Sequence, residues 1–263
     1  MKFNYRQAIG ELIFALVTCR PDISFPLIKL SQYSQNPAEV HYKAVIKIFH
    51  YLKATVNRGI YYWRPQSNHN FPEAACPTPS KQTHLPPHVN SDTSDTLSGM
   101  VDSDWAGDTS HRKSVTGIVL KLAGGSILYK TKYQDTVALS STEAEFAAAC
   151  EAGKSILYVR SILEEINIPQ PHATVLHIDN RGALLMGNAQ QPTRRTKHVD
   201  IKKFALQDWI EQDLLIMRSI KTSDNSADAM TKTLGRQLHY RHFDYIMGHN
   251  IPDYTDINNS TPR

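Results

Sequence analysis

The chain has 263 residues, 41% of them apolar, and carries Lys+Arg 29 against Asp+Glu 25, a formal charge of +4. That apolar share supports a real core in one large or two modest domains, and the mild positive balance permits contact with nucleic acid without requiring it. Cys19, Cys76 and Cys150 are scattered and form no CxxC, which excludes a disulfide framework and a zinc site and favours a reducing compartment; the N-terminal run, broken by Glu11, lacks a signal-peptide layout, and no apolar stretch is long enough to span a bilayer.

Residues 5–18 place Ile9, Leu12, Ile13, Leu16 and Val17 at helical spacing, and Pro21 stops that helix. A second helix runs through Ile23, Leu27, Ile28 and Leu30, with Asp22 as a candidate cap and Pro26 in an early turn. A third, over residues 37–55, sets Val40, Ala44, Ile48, Tyr51 and Leu52 on one face. Residues 59–63, Gly-Ile-Tyr-Tyr-Trp, read as a short strand. Residues 1–64 therefore form a small helical subdomain with nothing catalytic in view. Residues 65–98 hold Pro65, Pro72, Pro77, Pro79, Pro86 and Pro87 among many polar residues. Such a segment buries too little apolar surface to offset its ordering entropy, so it reads as a flexible linker with His69, His84 and His88 solvated.

From Gly99 the pattern turns to strands: residues 100–106, residues 114–122, a hairpin turn at Gly124-Gly125, and residues 126–130. A long helix follows over 141–167, then a strand over 173–178 that ends at Asp179. A short helix over 181–187, a helix over 196–212, a strand over 214–220 and a last helix opening at 226–231 complete the pattern. The result is one mixed α/β layer fold over residues 99–248, with a tail over 249–263.

Within Val137-Ala-Leu-Ser-Ser-Thr-Glu-Ala-Glu-Phe146, Ser140 and Glu143 have the spacing of a capping box, which occupies Glu143 and leaves Glu145 spare among small and apolar neighbours. A carboxylate in such surroundings needs a partner, either an arginine or a metal. Asp102 on the first strand, Asp179 at the end of the fourth and Asp228 at the start of the last helix are placed to join it. Each has an ordinary alternative: Asp228 could start a helix, Asp179-Asn180 could be a cap, and Asp104 or Asp108 could be a solvated neighbour of Asp102. Oxygen-only ligand sets suit Mg²⁺ or Mn²⁺, and two such ions about 3.5–4 Å apart serve in-line displacement at a phosphodiester.

Six motifs occur in order: Val101-Asp-Ser-Asp-Trp-Ala-Gly-Asp108, Lys113-Ser-Val-Thr-Gly117, the stretch 137–146, Ile178-Asp-Asn-Arg-Gly-Ala-Leu184, Arg195-Thr-Lys-His-Val-Asp-Ile201 and Asn225-Ser-Ala-Asp-Ala-Met-Thr-Lys232. Together they resemble the ribonuclease H domain of copia-type LTR retrotransposon polyproteins. Tyr5-Arg-Gln-Ala-Ile-Gly10, Arg20-Pro-Asp-Ile-Ser24, His41-Tyr-Lys-Ala44 and Tyr51-Leu-Lys-Ala-Thr55 are similar to the region that follows the reverse-transcriptase palm.

The resemblance implies a C-terminal fragment: a helical remnant of the thumb or connection region, the linker, and a ribonuclease H-like mixed five-stranded sheet with flanking helices. It implies Asp102, Glu145, Asp179 and Asp228 as catalytic, metal-binding acids for two Mg²⁺ ions, with Mn²⁺ as a substitute. The implied substrate is the RNA strand of an RNA–DNA hybrid. Arg194, Arg195, Lys197, His198, Lys202 and Lys203 are the candidates for hybrid phosphates, and His198 could also protonate a leaving group. Other polyprotein parts are the implied partners, with no membrane and no small-molecule cofactor, in the cytoplasm (a virus-like particle) or the nucleus.

No Tyr-x-Asp-Asp occurs, so no polymerase activity is expected, and loss of the palm should leave apolar surface on residues 5–63. There are departures from the family pattern: Tyr133 and Asp135 interrupt a usual run of lysines, Phe204-Ala205 stand where relatives often carry a histidine, and no histidine precedes Asp228. The alternative is an inactive remnant that binds nucleic acid. An integrase-like nuclease fits less well, because the Thr-Glu-Ala-Glu helix does not match that class.

Overall fold

The computed structural model of the protein describes residues 3–62, 96–107, 112–188 and 197–249, the last stretch by backbone alone as far as residue 203. The linker expected over 65–98 lies outside the described residues up to residue 95. Its end belongs to the folded sheet instead: Leu97 is fully buried, its N–H donates to Gln170 Oε1 at 2.7 Å, and Ser98 opens the first strand.

Three strands, β1 (Ser98–Asp104), β2 (Val115–Leu122) and β3 (Gly125–Tyr133), form an antiparallel meander. Its second turn uses Ala123 and Gly124, both at positive φ. Two further strands, β4 (Thr174–Ile178) and β5 (Leu215–Ser219), add in parallel beside β1, so the order across the sheet is β3-β2-β1-β4-β5. Strand alternation divides the side chains between two faces. Val101, Ile118, Leu120, Leu176 and Ile178 pack under α4 (Ser141–Glu165), α5 (Arg181–Asn188) and α6 (Lys197–Glu211). Met100 and Val119 face the other way, against a 3₁₀ turn (Ser226–Met230) and the helix α7 (Arg236–Ile246). This is the ribonuclease H-like mixed sheet with flanking helices.

The helical unit at the N-terminal side comprises α1 (Tyr5–Cys19), α2 (Ser24–Ser31) and α3 (Glu39–Ala54), closed around Leu12, Leu16, Ile23, Leu27, Val45 and Ile48. Asp22 does not cap α2. It forms a buried ion pair with Arg20 at 2.7 Å and accepts from Tyr51 Oη at 2.7 Å, while Arg20 reaches on to Thr55. The unit lies along β3, where Tyr129 Oη donates to the Leu16 carbonyl at 2.5 Å, and Arg58 pairs with Asp244 of α7. It thereby packs against β3, the outermost strand on that side of the sheet. Phe14, Val17, Val40 and Val56 remain exposed on it.

Two further sequence expectations fail. Residues 59–62 form no strand, because their neighbours are the turn after α7 and a side chain, neither of which offers a ladder: Tyr61 N–H donates to the Met247 carbonyl at 2.7 Å, and His249, the first residue of the expected tail, lies 2.7 Å from the Gly59 carbonyl through Nε2. The segment after residue 225 is a 3₁₀ turn, and the last α-helix begins at Arg236.

Candidate active site

Register brings the first two acids together. β1 and β4 run parallel with Met100 opposite His177, so two residues further on Asp102 and Asp179 emerge side by side at the carboxyl ends of their strands, the usual place for a site in such a sheet. Asp102 is 3% exposed and faces Gly117 across β2. A Cβ at Gly117 would stand 2.7 Å from Thr231 Cγ2 and 2.8 Å from both the Ala227 carbonyl and Met230 Cβ. The glycine therefore lets the 3₁₀ turn rest directly on β2. Gly117→Ala is expected to lower stability by about 1–3 kcal/mol through overpacking and to weaken divalent-ion binding, measurable by thermal unfolding with and without Mg²⁺.

Each remaining acid is released from a capping role by a neighbour. Ser140 Oγ accepts from Glu143 N–H at 3.1 Å, and Glu143 in turn accepts from Leu139 N–H at 2.8 Å, so the box occupies Glu143 and leaves Glu145 to the site. Asn180 caps α5, accepting from Ala183 N–H at 2.9 Å, so Asp179 is not needed as a cap; its carboxylate is hydrogen-bonded to Thr222. Asn225 accepts from Ala227 N–H at 3.2 Å and donates to the Val101 carbonyl at 2.9 Å; it starts the 3₁₀ turn and ties it to β1, and Asp228 is not needed as a cap. Gln134 Nε2 bonds Thr116 Oγ1 and the Ala144 carbonyl, fixing the first turn of α4 over the sheet.

The outcome is a cluster in which one oxygen each from Asp102, Glu145 and Asp179 lies within 4.8 Å of the others. Asp228 adjoins Asp102, and its Oδ2 is 2.9 Å from Lys232 Nζ. Glu145 Oε2 and Asp228 Oδ1 are buried and accept no hydrogen bond. Burial, together with Asp102 and Asp179, pushes the Glu145 carboxyl up to about 9, although the Ser103 N–H donates to it. Burial and Asp102 raise Asp179, and they push Asp228 up to about 7 against the pull of Lys232. At neutral pH these acids do not all ionise together unless a cation besides Lys232 joins them. Orphaned, buried, oxygen-only donors fit a hard divalent ion such as Mg²⁺ or Mn²⁺.

Two residues escaped the sequence reading. The Thr231 hydroxyl donates to Asp102. Burial works against the Lys232 ammonium, but Asp102, the bond to Asp228 and Asp179 outweigh it and hold its pKa above the usual lysine value. The spacing from Asp228 to Lys232 is the signal that could have found the pair. Asp104 stays outside the cluster, its carboxylate turned onto the loop at Gly107, and Asp108 lies outside the described residues. Arg194 and Arg195 also lie outside them. Lys197, His198, Lys202 and Lys203 fall on α6, described there by backbone alone. Trp105 and Trp209 pack: Trp105 Nε1 donates to the Ala138 carbonyl at 3.0 Å, and the Trp209 ring fills the space where a Cβ at Gly153 would stand.

The strand order, with helices on both faces and an acid cluster at the carboxyl ends of β1 and β4, defines a ribonuclease H-like domain preceded by a docked helical unit. Over 235 residues, 89% of its length, the chain is 30% identical to the retrovirus-related Pol polyprotein from transposon TNT 1-94 of Nicotiana tabacum, and over 233 residues it is 30% identical to that from transposon RE1 of Arabidopsis thaliana. Over 89% of its length the chain is homologous to retrovirus-related Pol polyproteins of copia-type transposons. It spans 16% and 14% of the length of those two relatives. No protein-family model matches it. Among solved structures it is similar to LC11-RNase H1, isolated from compost by a metagenomic approach, at 13% identity and a TM-score of 0.41 over 52% of this chain and 93% of that one. The same enzyme in complex with an RNA/DNA hybrid aligns at 10% identity and a TM-score of 0.37 over 49% of this chain and 88% of that one.

Proposed function

We propose that the chain is a metal-dependent endonuclease that hydrolyses the RNA strand of RNA–DNA hybrids, as part of a retrotransposon-derived polyprotein. The observation that carries this reading is the pair of buried carboxylate oxygens, on Glu145 and Asp228, that accept no hydrogen bond, at a cluster of three acids, Asp102, Glu145 and Asp179, with Asp228 beside Asp102. Asp102, Glu145 and Asp179 would share one ion, and Asp102 with Asp228 would hold a second. When bound, two Mg²⁺ ions, or Mn²⁺ in their place, supply an activated water and neutralise the leaving 3′ oxygen, giving 5′-phosphate and 3′-hydroxyl ends. Thr231 orients the Asp102 carboxylate, and Ser103 N–H orients Glu145. Lys232 keeps Asp228 in place. The basic run Arg194, Arg195, Lys197, His198, Lys202 and Lys203 would hold the hybrid backbone by phosphate contacts, and the 2′-hydroxyl would distinguish the RNA strand.

The competing reading is an inactive remnant that binds nucleic acid. The observation in its favour is the exposed apolar pair Phe14 and Val17 on α1, surface that another part of a polyprotein could cover. A strand-labelled RNA–DNA hybrid, incubated with the full chain in Mg²⁺, Mn²⁺ or EDTA, separates the two. Cleavage of the RNA strand alone, abolished by EDTA, is expected. Folded protein that binds the hybrid but cuts neither strand in either metal would establish the remnant instead.

A further inference from the structure

The 3₁₀ turn that carries Asp228 rests on a row of residues crossing three strands. Asp102 on β1 pairs with Gly117 on β2, and Gly117 pairs with Thr131 on β3. Thr231 lies over Gly117 and donates to Asp102, while the Met230 carbonyl accepts from Thr131 Oγ1 at 2.8 Å. A hydroxyl has one proton to give, so Thr131, having donated to Met230, meets its next partner as an acceptor. That partner is Ser24 Oγ, in the first turn of α2, at 2.7 Å. Ser24 is 2% exposed and Thr131 8%. The bonds connect residues 107 and 99 positions apart in sequence, so no local pattern reveals them. They run in one direction, Ser24 to Thr131 to Met230, and successive bonds in such a chain polarise one another in a low-dielectric interior. The helical unit also holds α7, which packs on the same turn, through Arg58–Asp244 and the approach of Tyr51 Oη to His239 Nε2 at 3.3 Å.

We propose that Ser24 and Thr131 are positioning residues for Asp228, so that the docking of the N-terminal helices sets the place of the fourth acid in the cation site. The helices are then working parts of the nuclease and not only a neighbouring unit. This rests on the metal-site reading above.

The test uses the full chain and four variants. Thr131→Val keeps the shape and removes the hydroxyl; Thr131→Ser restores it; Ser24→Ala removes the first donor. Tyr5→Phe is the control, because it deletes a buried bond of similar kind, Tyr5 Oη to the Leu30 carbonyl at 2.9 Å, inside the helical unit. Mn²⁺ affinity is read by calorimetry or electron paramagnetic resonance, beside the thermal midpoint of the metal-free protein and the rate of hybrid cleavage. Thr131→Val and Ser24→Ala are expected to weaken Mn²⁺ binding by roughly three- to tenfold, at or below the low end of what hydrogen bonds standing behind a metal's ligands contribute. Thr131→Ser should bind as wild type, and Tyr5→Phe should lower the midpoint without changing the affinity. Thr131→Val and Ser24→Ala proteins that are destabilised but bind Mn²⁺ as wild type would overturn the inference while leaving the metal site standing. Wild-type protein that binds no Mn²⁺ would overturn the metal site and this inference with it. Should Thr131→Val not fold, Ser24→Ala decides by the same criterion.

Discussion

Replacing Glu145 with Gln is expected to reduce cleavage of the RNA strand by at least about 10²–10³-fold, the scale of removing one preorganised electrostatic group from an active site. Glutamine keeps the size of the side chain and an acceptor for the Ser103 N–H, but it cannot ionise. The metal-free variant should be more stable than wild type at pH 9, because the charge that burial and the facing aspartates oppose is gone. Asp102→Asn should lose activity to a similar degree, whereas Asp104→Asn, turned away onto the Gly107 loop, should retain most of it. Steady-state cleavage of a labelled hybrid in Mg²⁺, with unfolding curves for each protein, checks both halves. Wild-type rates in Glu145→Gln would remove that residue from the catalytic machinery.

The second large effect is on stability against pH. Glu145, Asp179 and Asp228 all have folded-state pKa values above the ordinary carboxylate range, Glu145 at about 9 and Asp228 at about 7. An acid held more tightly protonated in the folded state stabilises the fold at low pH, and that contribution is lost as pH rises through the folded pKa. The metal-free protein should therefore lose stability from these acids between about pH 5 and pH 9. Two buried bases push the other way: His242, lowered by burial to about 4, as pH rises above 4, and Lys121, lowered by burial to about 7, above pH 7. The diagnostic is thus the gain in thermal midpoint on adding Mg²⁺ at each pH, in which the two bases cancel. A ligand that binds only the folded state stabilises it in proportion to the logarithm of its concentration over Kd, and the site binds better once its carboxylates are ionised. The Mg²⁺ increment should grow from pH 6 to pH 9. An increment that stays flat or shrinks would show that the ion binds elsewhere.

Much of the fold was legible because the helices and strands advertise themselves locally. The spacing of Ile9, Leu12 and Leu16 and the Ser140 cap on Glu143 N–H record contacts between residues near in sequence, and the structure forms both; the hairpin turn falls on Ala123-Gly124, one residue before the Gly124-Gly125 expected. The run at 59–63 misled for the same reason: its β-branched and aromatic composition suits a strand, but a strand exists only where a partner edge lies alongside, and here the neighbours are Met247 and His249.

The sequence by itself determined the four acids as candidates and the elements that carry three of them; Asp228 stands on a 3₁₀ turn where a helix was expected. Only the tertiary structure decided which were free to act, because Asn180 and Asn225 take the capping bonds that Asp179 and Asp228 could have taken. It alone decided that Lys232 and Thr231 enter the acid cluster, and that Ser24 and Thr131 stand behind the 3₁₀ turn. The physical reason is one of range. Periodicity and caps express interactions within a few residues, whereas the site is made by strand register and by hydroxyl contacts across about a hundred residues of chain, which leave no periodic trace in the sequence.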